Sequence, residues 1–303
     1  MSLPVVYHPD YMAPLRAGHR FPMSKYGYLR DHLVRDSLLP EAGGYIAPAP
    51  ASLAQIAAAH GWDYTDRAFR LCLTEGEVRE IGLPQNERVI RRARLSSAGT
   101  TLAARLALEH GVAVNLAGGS HHAGPQRGAG FCVFNDVAVA ARTLLDEGHV
   151  RRILVVDCDV HQGDGTAAIF ANDPAVFTLS LHAEKNYPAR KQTSDLDFGL
   201  PDGLRDAPYL EVLREVLTPL WDQVRPDLVF YNAGVDPHQD DRLGRLSLTD
   251  AGLAARDDYV LRSAVARGIP VVGVIGGGYG PDPAEIAARH ALMVASAARN
   301  VSA

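Results

Sequence analysis

Five short apolar runs recur along the chain from residue 111 onward, and each ends in glycine or polar residues. They lie at 111–119, 151–160, 175–182, 227–236 and 268–280. Nearly continuous runs of Val, Ile and Leu of this length are typical of parallel strands buried on both faces. Segments with helical spacing lie between them, at 136–148, 208–224 and 248–268. Strands that alternate with helices predict an α/β fold with a mostly parallel, doubly wound sheet flanked by helices.

The first 90 residues are less regular than the rest, and prolines interrupt them at short intervals. Nowhere in the 303 residues does a low-complexity linker, an internal repeat or a change of composition divide the chain. Hydrophobic residues make up 47% of the sequence, which is ample for one large core. We therefore predict a single domain over residues 1–303.

The charge balance argues against nucleic acid as a partner, because the net charge is −5 at pH 7 and no basic excess exists. The densest basic run consists of Arg91, Arg92 and Arg94. We interpret this run as a solvated helix face rather than a binding surface.

Cysteine usage and apolar segments bear on the compartment. The three cysteines, Cys72, Cys132 and Cys158, are far apart and lack a CxxC spacing, which argues against a disulfide framework and for a reducing compartment. The sequence shows no signal-peptide pattern, and no apolar stretch approaches the roughly 20 residues of a membrane span. These features predict a soluble, cytoplasmic protein without a membrane partner.

Glycine-rich, polar strand exits are the places to search for chemistry, since ligands of open α/β sheets bind beyond the carboxyl ends of the strands. The richest exit reads VVDCDVHQGDG. If the strand continues through it, the two-residue period puts Asp157, Asp159 and His161 on one face. Such buried ionisable groups are costly unless they are paired or bind a metal. The simpler alternative is a polar strand end that caps the next helix through Asp164 or Thr166, and the full D-x-D-x-H-x-x-D pattern argues against it.

A second exit, YNAGVDPHQDDRLG, supplies Asp236 after an apolar strand. Together with the D-x-H of the first exit, it would form a three-ligand site with an open position for water, as in catalytic zinc centres. Fe(II), Mn(II) and Co(II) accept similar ligands. Asp240 and Asp241 follow in the same loop, and we interpret them as pairing with Arg242.

The third exit, VIGGGYG, places Tyr279 behind three glycines. Glycine lets a ligand approach the backbone closely, and the tyrosine hydroxyl can donate to a developing oxyanion. A phosphate cradle is the alternative, but the string matches neither GxxxxGK[ST] nor GxGxxG. The exit therefore favours a catalytic tyrosine only in combination with the other exits.

The fourth exit, GGSHHAGP, carries His121 and His122 side by side. Alone, such a pair is ambiguous. Beside a metal site, a neutral imidazole can take a proton from metal-activated water, and its neighbour can give a proton to a leaving group. Asp157 and Asp164 are the acids available to fix the tautomers of the two rings.

Taken together, these strings resemble the histone deacetylase family of the arginase–deacetylase fold. The matching elements, in chain order, are GSHHA, GFCVFND, DCDVHQGDG, NAGVD and GGGY, and their spacing agrees over roughly residues 5–285. The strings HRFPMSK and IGLP, the HQGDG variant, and YNAGVD followed by DRLG are most similar to the class IV branch. The resemblance implies a single-domain, three-layer fold with a mostly parallel, doubly wound sheet.

The resemblance also implies two metal sites. The zinc ligands would be Asp159, His161 and Asp236, with Fe(II) or Co(II) as possible substitutes. A structural monovalent cation, K⁺ or Na⁺, would lie near Asp157, Asp159, His161, Ser180 and Leu181, bound partly through backbone oxygens.

The same resemblance implies the catalytic roles and the substrate channel. His122, hydrogen-bonded to Asp164, would be the general acid and base. His121, paired with Asp157, would be its electrostatic partner, and Tyr279 would polarise the amide carbonyl. The channel for the acyl-lysine would be lined by Gly130, Phe131, Tyr187, Gly277 and Gly278. Ser120 stands where many members of the family carry a larger residue.

The function that these inferences predict is zinc-dependent hydrolysis of an acyl-lysine amide in a protein or peptide. A deacetylase of a small amine, such as an acetylated polyamine, would use the same chemistry and stays open as the alternative. An arginase-like ureohydrolase would need a further acid beside Asp236, and residues 234 and 238 are Gly and His. A non-catalytic module that binds acylated lysine would be expected to have lost a ligand or Tyr279, and both are present.

Overall fold

A parallel sheet of seven strands lies at the centre of the computed structural model, which describes residues 2–39 and 44–301. The strands are β1 (Val5–Val6), β2 (Val112–Asn115), β3 (Ile153–Asp157), β4 (Val176–Ala183), β5 (Leu196–Leu200), β6 (Leu228–Asn232) and β7 (Val271–Val274). Their order across the sheet is β1-β2-β7-β6-β3-β4-β5, and every neighbouring pair is parallel. The predicted α/β fold is confirmed.

The five predicted runs form the five inner strands of this sheet, β2, β3, β4, β6 and β7. Nearly all of their residues are buried, as strands covered on both faces must be. The two edge strands were not predicted. β1 has only two residues, and β5, with the sequence LDFGL, is mostly half-exposed and lacks a continuous apolar run.

Ten helices flank the sheet within the described residues. They are α1 (Lys25–Arg35), α2 (Leu53–Ala57), α3 (Trp62–Phe69), α4 (Glu75–Ile81), α5 (Glu87–His110), α6 (Asp136–Asp146), α7 (Asp164–Phe170), α8 (Asp206–Val224), α9 (Asp250–Val265) and α10 (Pro283–Val301). The predicted helices at 136–148, 208–224 and 248–268 correspond to α6, α8 and α9.

The first 90 residues contain four complete helices, although the sequence pattern there looked irregular. These helices are short, so their start signals are more informative than their periodicity. Ser52 with Gln55 and Thr74 with Glu77 both form reciprocal capping boxes at the starts of α2 and α4. Asn86 caps the long helix α5 through the Val89 N–H.

The interpretation of the basic run as a solvated face is wrong for Arg92. Arg91 is exposed and pairs with Asp10, but the side chain of Arg92 is buried. It donates to the Tyr11 carbonyl at 3.0 Å and to the Tyr26 hydroxyl, and its guanidinium lies over the Tyr26 ring. A buried arginine is tolerated here because backbone and aromatic groups replace its water.

The register of the sheet aligns the carboxyl ends of its inner strands. Asn115, Val274, Asn232, Asp157 and Ser180 form one row, each paired with the next on the neighbouring strand. Four of these residues are the last of their strands, and Ser180 lies three residues before the end of β4. The loops that follow the inner strands therefore begin at the same edge of the sheet. All four glycine-rich exits lie at this edge.

Two other features bear on the sequence predictions. Cys72, Cys132 and Cys158 are all unpaired, in agreement with the absence of a disulfide framework. Among the described residues, none of the helices combines the length and the hydropathy needed to cross a bilayer.

Candidate active site

The D-x-D-x-H string leaves the sheet sooner than the strand pattern suggested. Strand β3 ends at Asp157, so Asp159 and His161 lie in a loop and not on a strand face. The carboxylates of Asp157 and Asp159 instead each accept a hydrogen bond from the backbone two residues further along the chain. The Asp159 N–H donates to Asp157 Oδ1 at 3.1 Å, and the His161 N–H donates to Asp159 Oδ1 at 3.0 Å. These local turns bring the loop side chains together.

Asp159, His161 and Asp236 converge on one point, with one ligand atom from each within 4.8 Å of the others, and all three are buried. His161 Nδ1 lies 3.0 Å from Asp159 Oδ1 and 3.1 Å from Asp236 Oδ2. The other carboxylate oxygens are held by backbone donors, Asp159 Oδ2 by the Gly277 N–H and Asp236 Oδ1 by the Val160 N–H, both at 2.8 Å. The donor set therefore fits a divalent cation.

The electrostatics of the three side chains agree with a cation between them. Burial and the Asp159 charge raise the pKa of Asp236 to about 7. Burial alone would lower the pKa of His161, but the two carboxylates raise it to about 10. Two buried carboxylates this close repel each other, and a positive charge between them removes that cost.

The two adjacent histidines have different acidic partners. His121 Nδ1 lies 2.7 Å from Asp157 Oδ2, and His122 Nδ1 lies 2.6 Å from Asp164 Oδ1. The ring centroids are 4.1 Å apart. All four side chains are buried. The pairings are those the sequence analysis expected.

The same four groups give the two rings different pKa values. Burial alone would lower the pKa of His121, but Asp157 and Asp159 raise it to about 9. Burial and the neighbouring His121 lower the pKa of His122 to about 4, against the opposing effect of Asp164. At neutral pH, His122 is therefore a neutral imidazole beside a charged one.

The loop that carries the two histidines is held by hydrogen bonds to the Asp136 carboxylate, a role that the sequence did not predict. Its carboxylate accepts the Gly119 N–H at 3.1 Å and the Ser120 N–H at 2.7 Å. Gly119 has a positive φ, and a Cβ there would lie 2.5 Å from the Gly276 Cα. Only glycine fits this crossing of two exits.

Tyr279 is buried at the end of the GGG string, with its ring centroid 6.1 Å from that of His161 and 5.9 Å from that of Phe131. Its N–H donates to Asp241 Oδ2 at 2.6 Å. The expected pairing of Asp240 and Asp241 with Arg242 is therefore wrong. Asp241 instead caps backbone N–H groups, and Asp240 lies 3.3 Å from a guanidinium nitrogen of Arg289.

A cavity of about 700 Å³ opens from these groups to the surface. Its walls include both predicted aromatic residues, Phe131 and Tyr187. The Tyr187 ring stands perpendicular to the His122 ring, with the centroids 4.8 Å apart. Gly130 also lines the cavity, and a Cβ there would lie 2.5 Å from His122.

Two predicted channel residues, Gly277 and Gly278, do not line this large cavity. Gly277 lines a small adjoining cavity of about 20 Å³, which Ser120 also lines. A Cβ at Gly277 would lie 2.1 Å from Asp236 Oδ2, so this glycine leaves space for the candidate metal triad of Asp159, His161 and Asp236. Gly278 lines neither cavity, and a Cβ there would meet Val235 and Ile286, so its place in the channel stays a prediction.

The predicted monovalent-cation residues are also neighbours. Ser180 pairs with Asp157 across β3 and β4, and Leu181 follows it, both buried. The Gly163 N–H lies 3.4 Å from the Ser180 hydroxyl. This cation site stays a prediction.

Comparison with known proteins shows the family to which this chain belongs. The model of the histone deacetylase domain matches residues 19–295. The chain belongs to the histone deacetylase family. It is therefore a hydrolase of the histone deacetylase type, as the sequence predicted, while the class IV assignment rests on the sequence strings alone.

Several relatives of this histone deacetylase-family chain are similar over most of its length. An uncharacterized protein of Picosynechococcus sp. is 49% identical over 293 residues, which are 97% of each chain. Histone deacetylase 2 of Arabidopsis thaliana is 31% identical over 89% of this chain and 72% of its own. The "Probable deacetylase" of Archaeoglobus fulgidus is 29% identical over 99% of this chain and 87% of its own.

A solved structure shows the same fold. The crystal structure of the HDA15 HD domain superposes with a TM-score of 0.80 at 21% identity, over 99% of this chain and 94% of that one. The likeness confirms the arginase–deacetylase fold.

The sequence analysis also missed Arg256 on α9, whose side chain is fully buried. It donates to the Cys158 carbonyl at 3.1 Å and to the Gly234 carbonyl at 2.6 Å, and it pairs with Asp257 at 2.9 Å. These carbonyls belong to the two loops that supply the metal triad, so Arg256 ties the loops together. The signal was present, because Arg256 lies three residues after Leu253 on the buried face of the helix.

Two further cations, Lys25 and Arg127, contact the site. The Lys25 ammonium is fully buried and donates to the carbonyl of Gly276, the first glycine of the GGG string, at 3.0 Å. Arg127 is half-exposed. One of its nitrogens lies 3.3 Å from Asp164 Oδ2 and another 2.7 Å from Glu80 Oε1. Arg127 thereby connects the buried His122–Asp164 pair with the surface.

Proposed function

We propose that this hydrolase removes the acyl group from acyl-lysine in a protein or peptide, with Zn(II) as its metal. The observation that carries the proposal is the convergence of the Asp159–His161–Asp236 triad, a histidine–aspartate pair and a tyrosine at the base of one aromatic-walled cavity. An acyl-lysine has an apolar arm that fits such walls, and its amide would reach the polar groups at the base.

When bound by the triad, Zn(II) would supply Lewis acidity to the amide carbonyl and lower the pKa of water at the open position. Fe(II) or Co(II) could replace it on these ligands. A K⁺ or Na⁺ ion near Asp157 and Ser180 would have a structural role. The metal identities rest on the family resemblance and on the donor set.

The protein's own proton transfers follow from the histidine pair. His122 is neutral at pH 7, and its Nδ1 is taken by Asp164, so its Nε2 is the nitrogen available to the substrate. It would take a proton from the attacking water and deliver it to the lysine nitrogen as the C–N bond breaks. His121, charged and held by Asp157, would stabilise the negative charge that develops.

Tyr279 would donate a hydrogen bond to the carbonyl oxygen as that oxygen becomes negative. Phe131 and Tyr187 would contact the apolar arm of the lysine from opposite sides. The products would be a free carboxylate and a free lysine amine. The cytoplasmic location stays a prediction from the sequence.

The variant Tyr279→Phe tests the proposal, since it removes only the hydroxyl. We expect kcat on an acetyl-lysine peptide to fall about 10²- to 10³-fold, as for the loss of one oxyanion donor, with an unchanged melting temperature and metal content. Tyr28→Phe, at an exposed tyrosine of α1, is the matched control and should retain full activity. Equal rates for Tyr279→Phe and the wild type would refute the role of the hydroxyl.

A further inference from the structure

The mouth of the cavity carries a concentration of positive charge. Its lining includes five cationic side chains and one acid, namely Arg16, Arg20, Arg79, Lys185, Arg245 and Glu80. Arg242 lines an adjoining depression together with Arg20. All of these charged residues are exposed. The whole chain has the opposite balance, with 30 Lys and Arg against 35 Asp and Glu. We call Arg16, Arg20, Lys185 and Arg242 the basic rim.

The basic rim is not neutralised by nearby carboxylates. Two other cations of the cavity lining are paired and are therefore not counted in the rim. Arg79 lies 3.5 Å from Glu75, and Arg245 lies 3.1 Å from Asp202. The single acid of the lining, Glu80, is held by Arg127 at 2.7 Å. Within the described part of the chain, no member of the basic rim has a carboxylate within ion-pair distance.

The basic rim is assembled from three separate parts of the chain. Arg16 and Arg20 precede α1, Lys185 follows β4, and Arg242 lies in the loop after Asp236. The charges therefore approach the opening from different sides. Like charges around a concave opening with low-dielectric walls focus the potential there and concentrate ions of opposite sign.

We propose that the physiological substrate is an acyl-lysine flanked by Asp or Glu, so that acidic side chains contact the basic rim while the acyl-lysine fills the cavity. This inference rests on the proposed function and specifies its substrate class. The inference also favours an acyl-lysine over an acetylated polyamine, the two substrates between which the sequence did not decide. An acetylated polyamine keeps positive amines outside the cavity, where it would meet cations and a single acid that Arg127 already engages.

The kinetic signature follows from where the charges lie. Because the rim is exposed and outside the base of the cavity, it acts on encounter and binding and not on bond cleavage. It should change kcat/KM and KM, and leave kcat unchanged. Exposed charges are screened over a Debye length of about 8 Å at 0.15 M salt, so the effect should shrink as salt is added.

The experiment uses the metal-loaded protein with peptides that differ only in the residues flanking one acetyl-lysine, either Glu, Gln or Lys, together with an acetylated spermidine. At low ionic strength we expect kcat/KM to be about 10-fold higher for the Glu peptide than for the Lys peptide. In 0.5 M NaCl the ratio should fall to about two-fold. The acetylated spermidine should be the poorest substrate of the series.

The double variant Arg16→Gln/Arg20→Gln should lose most of the preference for Glu over Lys and leave kcat on the Gln peptide unchanged. Arg151→Gln/Arg152→Gln is the matched control. It removes the same charge from two exposed arginines that precede β3, at the opposite edge of the sheet, and should keep the preference. Lys185→Gln/Arg242→Gln should behave like the first variant.

The outcomes separate this inference from the function on which it rests. Hydrolysis of all three peptides at equal kcat/KM would overturn the acidic substrate and leave the acyl-lysine hydrolase standing. Faster hydrolysis of the acetylated spermidine than of the Glu peptide would overturn it in favour of a small cationic substrate. No hydrolysis of any peptide would refute the proposed function itself, and the inference with it.

Discussion

The base of the cavity and its mouth use charge in opposite ways. At the base, Asp157, Asp159, His161, Asp164 and Asp236 are at most 5% exposed, and each of them makes at least one hydrogen bond. At the mouth, the four members of the basic rim are exposed and unpaired within the described residues. The base holds acids around the proposed metal site, whereas the mouth holds cations.

This difference in pairing follows from how far water reaches the two regions. A buried charge without a partner costs several kcal/mol, so the base can exist only if every group is paired and held in place. Water and salt screen an exposed charge, so the mouth can leave its cations unpaired at almost no cost in stability. The base can therefore direct the reaction at short range, and the mouth can select substrates at long range.

The largest effect should come from the metal triad. We expect Asp236→Ala to lose the bound metal and at least about 10³-fold in kcat/KM at every salt concentration, since Lewis-acid stabilisation is worth several kcal/mol. Metal content by elemental analysis and rates on an acetyl-lysine peptide check this. Asp240→Ala, at an exposed acid of the same loop, is the control and should keep its metal. A fully active, metal-free Asp236→Ala variant would contradict the role of the base in directing the reaction.

An intermediate effect should come from the histidine–aspartate pair. Asp164→Asn keeps the shape of the side chain but removes the charge that stabilises the protonated His122 ring. We expect kcat to fall about 10²-fold with little change in KM, at low and high salt alike. The exposed Asp222→Asn on α8 serves as the control. A loss that disappeared in 0.5 M NaCl would show that the base is as screened as the mouth.

The smallest effect should come from Arg127, which contacts both the base and the mouth through a partly exposed side chain. Arg127→Gln breaks its contacts with the buried Asp164 and the exposed Glu80. A half-exposed ion pair is worth up to about 1 kcal/mol, so we expect kcat to fall no more than about five-fold, and high salt should reduce this loss only in part. Arg91→Gln, which breaks the exposed pair with Asp10, is the control. A loss as large as that of Asp164→Asn would assign Arg127 to the base alone.

Much of the fold could be predicted from the sequence, because the inner strands are buried on both faces and their apolar runs show it. The edge strands β1 and β5 could not, since an edge strand needs neither length nor two apolar faces. The short helices α2 and α4 depend on local caps more than on periodicity, and the pattern of the first 90 residues concealed them. The burial of Arg92 could not be predicted, because three nearby arginines resemble a solvated helix face. Its hydrogen-bond acceptors are supplied by Tyr11 and Tyr26, which are distant in sequence.

The sequence by itself determined the reactive groups, since aspartate, histidine and tyrosine at glycine-rich strand exits leave few other chemistries. Only the tertiary structure decided how they are used. Asp241 supports Tyr279 from 38 residues away, and Arg256 ties together two loops that strands β3 and β6 bring side by side. The basic rim likewise exists only after folding, in a chain whose net charge is negative. The physical reason is that burial and proximity, which set pKa values, pairing and local potential, depend on which distant segments pack together.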